Sequence, residues 1–167
     1  MKSMIITYAD IERYTNEWKG KKTVLVGGCF DVWHVGHVTF LQKAKEAGEI
    51  LIIALEPDAF IKESKHRNPV HSQAERAYIL SALKMVDCVI LLPHFQDEEG
   101  YSKLVEKVKP AIIAVTEGDR ALEKKRAHAI SVGAELLQVT PLLSTFSTTN
   151  ILHYENIHST RGATTGN

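Results

Sequence analysis

Short apolar runs alternate with amphipathic stretches along the chain, and this alternation predicts the fold class. Five apolar runs have the length of strands, at residues 23–26, 50–55, 87–92, 111–115 and 134–139. The run ILIIAL at 50–55 has no polar position, which is typical of a strand buried on both faces of a parallel sheet. The alternation predicts one α/β domain with a five-stranded, mostly parallel sheet and helices on both faces.

Helices are predicted between these runs from periodicity and capping residues. Residues 37–47 place apolar side chains on one face and lysines on the other. Ser72 predicts the start of a second helix, because Glu75 three residues later completes a capping box. Two further helices are predicted over 98–108 and 119–133.

The two ends of the chain differ from its middle and predict a simple domain organisation. Residues 1–22 carry apolar residues at helical spacing behind Asp10 and predict an N-terminal helical extension. Residues 23–155 form the predicted α/β domain, in which the polar segment 62–71 predicts a loop. The small, polar residues of 156–167 predict a flexible tail.

Composition narrows the classes of partner. The chain has 167 residues with 44% apolar and 24% charged residues, and its 20 basic and 20 acidic residues balance to zero. This balance argues against nucleic acid as the main partner. Two distant cysteines, no secretory leader pattern and no apolar stretch of about 20 residues predict a cytoplasmic protein outside the membrane. Trp18 on the N-terminal helix is compatible with a homodimer contact or with the chain's own core.

The turn after the first strand carries the candidate chemistry. Ligands of open α/β sheets bind beyond the carboxyl ends of the strands, where Gly28 lets the backbone approach a ligand closely. The next helix begins with unpaired N–H groups that favour a phosphate. His34 and His37 are three residues apart at this start, with Gly36 between them. The two imidazoles and the helix end therefore predict an anion site.

Two other interpretations of this turn stay open. Cys29, Asp31, His34 and His37 all have zinc-compatible side chains, although their spacing matches no ligand pattern. A non-catalytic nucleotide-binding module would also keep the glycine turn.

The segment GGCFDVWHVGHVTFLQKAKEAG resembles the signature of the cytidylyltransferase-like nucleotidyltransferases. The matching positions are Gly28, Phe30, Asp31, His34, Gly36, His37, Leu41, Ala44, Lys45 and Gly48. Later segments also resemble the family: the helix that contains Arg76, the tripeptide EGD at 117–119 and the segment FSTTNIL at 146–152. The resemblance covers about residues 23–153 and implies a Rossmann-like fold.

The resemblance implies transfer of a nucleotidyl group from a nucleoside triphosphate to a phosphorylated acceptor, with release of pyrophosphate. It implies that His34 and His37 contact the triphosphate and stabilise the transition state. Lys62 or Lys65 would close over the phosphates, and Arg76 would grip a phosphate through its guanidinium. Mg²⁺ is expected with the triphosphate, without a dedicated protein cage.

The other residues that the resemblance assigns would bind the nucleotide. They are Gly28, Cys29, Phe30, Asp31, Gly36, Gly118, Asp119, Phe146, Ser147 and Thr148. Ser147 and Thr148 would offer hydroxyls and a helix N-terminus to the β- and γ-phosphates. For Asp31, a role as magnesium ligand, as loop anchor or as turn cap stays open.

The late motif separates the branches of the family. Glycerol-phosphate cytidylyltransferases carry Arg-Thr-x-Gly before Ser-Thr-Thr, whereas PLLSTF here contains no arginine. The resemblance is therefore greater to adenylyltransferases of the heptose 1-phosphate type, and AMP transfer is favoured over CMP transfer. Glycerol-3-phosphate cytidylyltransferase and FMN adenylyltransferase activities stay as alternatives. Pantetheine-phosphate adenylyltransferases have threonine at the position of His34.

Overall fold

The computed structural model describes residues 3–141. The strands are β1 (Met4–Thr7), β2 (Thr23–Gly28), β3 (Ile50–Leu55), β4 (Cys88–Leu91), β5 (Ile112–Thr116) and β6 (Glu135–Thr140). The helices are α1 (Ile11–Trp18), α2 (Val35–Glu46), α3 (Asp58–Lys65), α4 (Gln73–Ser81), α5 (Glu98–Val108) and α6 (Leu122–Val132).

All strand pairs of the sheet are parallel, in the order β1-β4-β3-β2-β5-β6. This confirms the predicted parallel α/β architecture and the five predicted strands. The count of five is wrong, because Met4–Thr7 adds a sixth strand beside β4. This strand has four residues, and only Ile6 among them is buried. A pattern this short does not distinguish a strand from the helix that follows.

Two apolar cores cover the two faces of the sheet. Helices α1, α5 and α6 pack on one face, where Ile11, Leu104 and Ala129 contribute buried side chains. Helices α2 and α4 pack on the other face, where Leu41 and Leu80 are fully buried. All six residues of β3 are buried, which explains its uninterrupted apolar sequence.

The helices confirm most of the periodic pattern. Ser72 and Glu75 form the predicted capping box at the start of α4. The prediction of a loop over 62–71 is wrong at its first residues, because α3 continues to Lys65 and ends at His66 in the left-handed conformation. This helix buries only Ile61, so its periodicity is nearly invisible in the sequence.

The sheet order places a crevice at one point of its carboxyl edge. From β2, the chain continues to β3 and β4 on one side, whereas β5 and β6 lie on the other side. The carboxyl ends of β2 and β5 therefore border the topological switch point, where open α/β sheets bind ligands. Within residues 3–141, no helix has both the length and the apolar character needed to cross a membrane.

Candidate active site

The turn from β2 to α2 is shaped by packing around Phe30. Phe30 is buried and has a φ of 47°, in the left-handed region. Its ring occupies the space beside Gly28, where an added Cβ would lie 2.8 Å from the Phe30 Cε2 atom. Gly28 is therefore required for this turn. The Phe30 ring also packs against the His37 ring, with 5.1 Å between the two ring centroids.

His34 and His37 meet at the start of α2. Their ring centroids are 3.7 Å apart with an interplanar angle of 25°. Among the described residues, neither Nδ1 atom has a hydrogen-bond partner, although both atoms are buried. His34 is the N-cap of α2, and its side chain makes no capping bond to the first N–H groups of the helix. The arrangement offers polar groups to an anion, as predicted.

The surroundings of the two imidazoles favour their neutral forms. Burial and the neighbouring His34 together lower the pKa of His37 to about 3. Burial also lowers the pKa of His34. Neutral rings can accept a proton or donate a hydrogen bond as negative charge arrives, which suits a site for phosphoryl oxygens.

Trp33 is a residue of this site that the sequence analysis did not identify. Its ring packs edge-on against His37 at 5.4 Å, and its buried Nε1 atom has no partner among the described residues. An unpaired indole N–H beside the histidines is a further donor for an anion. The sequence signal was its position inside the motif, directly before His34.

Asp31 anchors a loop. Its Oδ1 atom accepts hydrogen bonds from the backbone N–H groups of Val70 at 2.9 Å and His71 at 3.1 Å. Its Oδ2 atom accepts one from Arg67 at 2.5 Å. Of the roles left open for Asp31, this geometry supports the loop anchor. These three donors use most of the acceptor positions of the carboxylate, and the nucleotide or magnesium contact of Asp31 stays a prediction.

Arg76 is fully buried and ties three segments together. Its guanidinium donates to the carbonyl oxygens of His71 at 3.1 Å and Cys29 at 2.5 Å. It also pairs with the Asp58 carboxylate at 2.7 Å. The predicted phosphate contact by Arg76 is therefore not supported, because no part of its guanidinium is exposed. Arg76 instead fixes the carbonyl of Cys29 within the β2–α2 turn.

Lys62 and Lys65 are both exposed on α3. Burial and the charge of Glu56 together raise the pKa of the Cys29 thiol to about 11, and the charge of Lys65 opposes this rise. Which of the two lysines closes over the phosphates stays a prediction.

The turn after β5 reaches the same edge of the sheet. Gly118 has a φ of 72°, which only glycine adopts easily. Asp119 accepts a hydrogen bond from the Ala121 N–H at 2.8 Å and pairs with Lys125 at 2.7 Å. Both residues follow the carboxyl end of β5 and so lie near the switch point, while their nucleotide contacts stay a prediction. Gly36 lies in the first turn of α2, whereas Phe146, Ser147 and Thr148 lie outside the described residues.

A cavity of about 300 Å³ opens beside the β2–α2 turn, on the face of the sheet that α5 and α6 cover. Gly28 and Cys29 of the turn belong to its lining, and apolar side chains of β2, β3 and α5 form much of its wall. Glu56 and Tyr101 are polar residues of this wall that the sequence analysis missed. Their signal was modest: Glu56 is the first residue after the wholly apolar strand β3.

The described residues do not form a metal cage. Within residues 3–141, no three His, Cys, Asp or Glu side chains come close enough together to hold a metal ion. The zinc interpretation of Cys29, Asp31, His34 and His37 therefore has no support in the geometry.

Comparison with known proteins identifies relatives of the same architecture. Residues 25–161 match the family described as Cytidylyltransferase-like. The chain is 40% identical over 137 residues to the bifunctional protein HldE of Geobacter metallireducens, covering 80% of this chain and 27% of that protein. It is 36% identical over 142 residues to the HldE of Wolinella succinogenes, covering 83% and 28%. The chain thus spans about a quarter of the length of these curated relatives.

Solved structures agree with the fold. A lipopolysaccharide core biosynthesis protein from Thermoplasma volcanium superimposes with a TM-score of 0.59 at 26% identity, covering 73% of this chain and 96% of that chain. A pantoate-β-alanine ligase from Francisella tularensis superimposes with a TM-score of 0.62 at 17% identity, covering 94% and 78%, and shows the fold alone. With the family match over most of its length, the chain belongs to the cytidylyltransferase-like family of nucleotidyltransferases, as its sequence predicts.

Proposed function

We propose that this chain transfers an AMP group from ATP to a sugar 1-phosphate and releases pyrophosphate. The observation that carries the proposal is the stacked pair of His34 and His37, whose buried Nδ1 atoms lack partners at the start of α2. A triphosphate at this position would supply the missing acceptors and would face the positive end of the helix dipole.

The proposed reaction is an in-line displacement at the α-phosphorus. An oxygen of the acceptor phosphate forms the new bond to the α-phosphorus while the bond between that phosphorus and the bridging oxygen to the β-phosphate breaks. The electron pair leaves with pyrophosphate. An acceptor phosphate is largely ionised near neutral pH, with a second pKa of about 6, so it needs no general base.

Catalysis then depends on position and charge. His34, His37 and the first N–H groups of α2 stabilise the negative charge that develops on the phosphoryl oxygens. Lys65 is the cation that we place over the leaving phosphates, because its charge reaches the turn at Cys29. Arg76 and Asp31 hold the backbone around this turn and so preserve the distances.

The cavity beside Gly28 and Cys29 suits the body of a small acceptor. Its volume of about 300 Å³ is at the lower end of the range for small-molecule sites. An acceptor whose phosphate lies at the β2–α2 turn would place its remaining atoms in this cavity. The resemblance to heptose 1-phosphate adenylyltransferases and the similarity to HldE proteins support a sugar 1-phosphate and ATP.

We further propose that Mg²⁺ enters with ATP and that the protein acts in the cytoplasm, with homodimerisation as an open expectation. A triphosphate is the usual carrier of Mg²⁺ into such a reaction, because its oxygens coordinate the ion. Chelation by excess EDTA should abolish turnover, and added Mg²⁺ should restore it.

A pyrophosphate-release screen tests the proposed function. ATP and CTP are each paired with hexose and heptose 1-phosphates, glycerol 3-phosphate and FMN. We expect release that requires ATP together with a sugar 1-phosphate. Release with CTP and glycerol 3-phosphate would assign the cytidylyltransferase branch instead. Nucleotide binding with no release from any pair would contradict catalysis and favour a binding module.

A further inference from the structure

Glu56 is a buried acid in the wall of the cavity, and its carboxylate has few hydrogen-bond donors among the described residues. It follows the last residue of β3 and is 8% exposed. Both of its oxygens share one donor, the Tyr101 hydroxyl, at 3.0 and 3.2 Å. A carboxylate has about four acceptor positions, so most of its capacity is unused. Among the described residues, no cationic side chain forms an ion pair with Glu56.

The basic side chains near Glu56 contact other carboxylates. Lys125 pairs with Asp119 at 2.7 Å, and Arg76 pairs with Asp58 at 2.7 Å. His94 lies 3.0 Å from the Glu63 carboxylate. These three groups still act on Glu56 through space and oppose the rise of its pKa to about 7 that burial causes. Glu56 thus lines the cavity with acceptor positions that no described residue fills.

The backbone places Glu56 next to the site of transfer. The Glu56 N–H donates to the Gly28 carbonyl oxygen at 3.1 Å, which joins the end of β3 to the β2–α2 turn. Gly28 and Cys29 belong both to this turn and to the lining of the cavity. Glu56 lines the same cavity and is therefore placed to contact an acceptor that extends from the turn into it.

We infer that Glu56, oriented by Tyr101, binds the hydroxyl group on the carbon adjacent to the phosphorylated carbon of the acceptor. This inference rests on the proposed function, and it makes Glu56 a specificity-determining residue. A hydroxyl suits the position because it donates to a carboxylate and accepts from a protonated acid. An ammonium group suits it less well, because Lys125 lines the same cavity and already places a positive charge near the acid.

Substitution of Glu56 tests the contact. Glu56→Leu keeps a side chain of similar size without a hydrogen-bonding group, and Glu56→Gln restores an acceptor. We expect Glu56→Leu to lower kcat/KM for the sugar 1-phosphate about 10- to 100-fold, through the KM of the acceptor and not that of ATP. Glu56→Gln should recover a large part of the loss. Glu106→Leu, on the exposed side of α5, serves as the matched control.

Deoxy acceptors identify the hydroxyl. Glucose 1-phosphate is compared with its 2-deoxy and 6-deoxy analogues, and mannose 1-phosphate tests the configuration at carbon 2. We expect the 2-deoxy analogue to lose about the same factor in the wild type as Glu56→Leu does, and to lose nothing further in that variant. An equal penalty from Glu56→Leu on the parent and the 2-deoxy acceptor would overturn the inference.

Calorimetric titration separates this inference from the proposed function. The same sugar phosphates are titrated into wild type and Glu56→Leu without nucleotide. If sugar phosphates bind in a way that depends on Glu56 but no pyrophosphate is released, the proposed function is wrong and the contact between Glu56 and the acceptor is supported. Turnover with unchanged affinity in Glu56→Leu would overturn the contact and keep the function. If the wild type neither binds nor turns over any of these acceptors, both proposals are wrong.

Discussion

The imidazole rings of His34 and His37 stack at a centroid distance of 3.7 Å, in surroundings that lower the pKa of both rings. Protonation of one ring raises the cost of protonating the other, because two like charges would then lie against each other. The pair therefore holds its hydrogen-bonding groups ready for an anion without binding a proton first.

Loss of the inner ring should stop catalysis. We expect His37→Asn to lower kcat by roughly 100-fold or more, because one preorganised donor at a developing charge commonly contributes this much. Pyrophosphate release measures the loss, and circular dichroism checks that the variant folds. Val35→Ala in the same turn is the control, since the Val35 side chain is exposed. Turnover of His37→Asn at the wild-type rate would refute the role of this ring.

The two lysines of α3 should differ in effect. Lys65→Met is expected to reduce kcat by about 10- to 100-fold, because Lys65 is the lysine whose charge reaches Cys29. Lys62→Met should have a smaller effect. Steady-state assays with saturating ATP provide the measurement, with the exposed Lys43→Met on α2 as control. A larger loss for Lys62→Met would reverse the assignment.

Arg76 should behave as a structural residue. We expect Arg76→Lys to lower the free energy of unfolding by about 3 kcal/mol, because a lysine cannot serve the three acceptors of the guanidinium. Urea denaturation gives this value, and the exposed Arg126→Lys on α6 is the control. Unchanged stability with a raised KM for ATP would instead support the phosphate contact predicted from the sequence.

Stability should depend on pH through Glu56. Burial raises its pKa to about 7 in the folded protein from the model-compound value of 4.5, so the folded state binds more protons between these values. The free energy of unfolding should therefore fall as pH rises from about 4.5 through 7, by about 3 kcal/mol at most. Glu56→Gln should remove this slope in urea denaturation, whereas Glu106→Gln should keep it. A wild type that gains stability over this range relative to Glu56→Gln would contradict the assignment.

The sequence by itself determined the family, the parallel architecture and the position of the histidine pair. A strand that is buried on both faces, such as ILIIAL, has an uninterrupted apolar sequence. Such strands can therefore be located along the chain without knowledge of the tertiary structure. The capping box of Ser72 and Glu75 was equally visible, since both of its partners lie within one helical turn. Local patterns of this kind determine local structure.

Tertiary structure decided which charged side chains face the ligand. Arg76 and Asp31 looked like phosphate or metal contacts, but their partners come from segments distant in sequence, at Cys29 and at Val70–His71. Glu56 and Tyr101 are 45 residues apart and meet only because α5 packs over the end of β3. The type of a residue determines the charge of its side chain. Its role depends on whether folding brings hydrogen-bonding or charged partners next to it, and the sequence alone does not show which distant segments supply those partners.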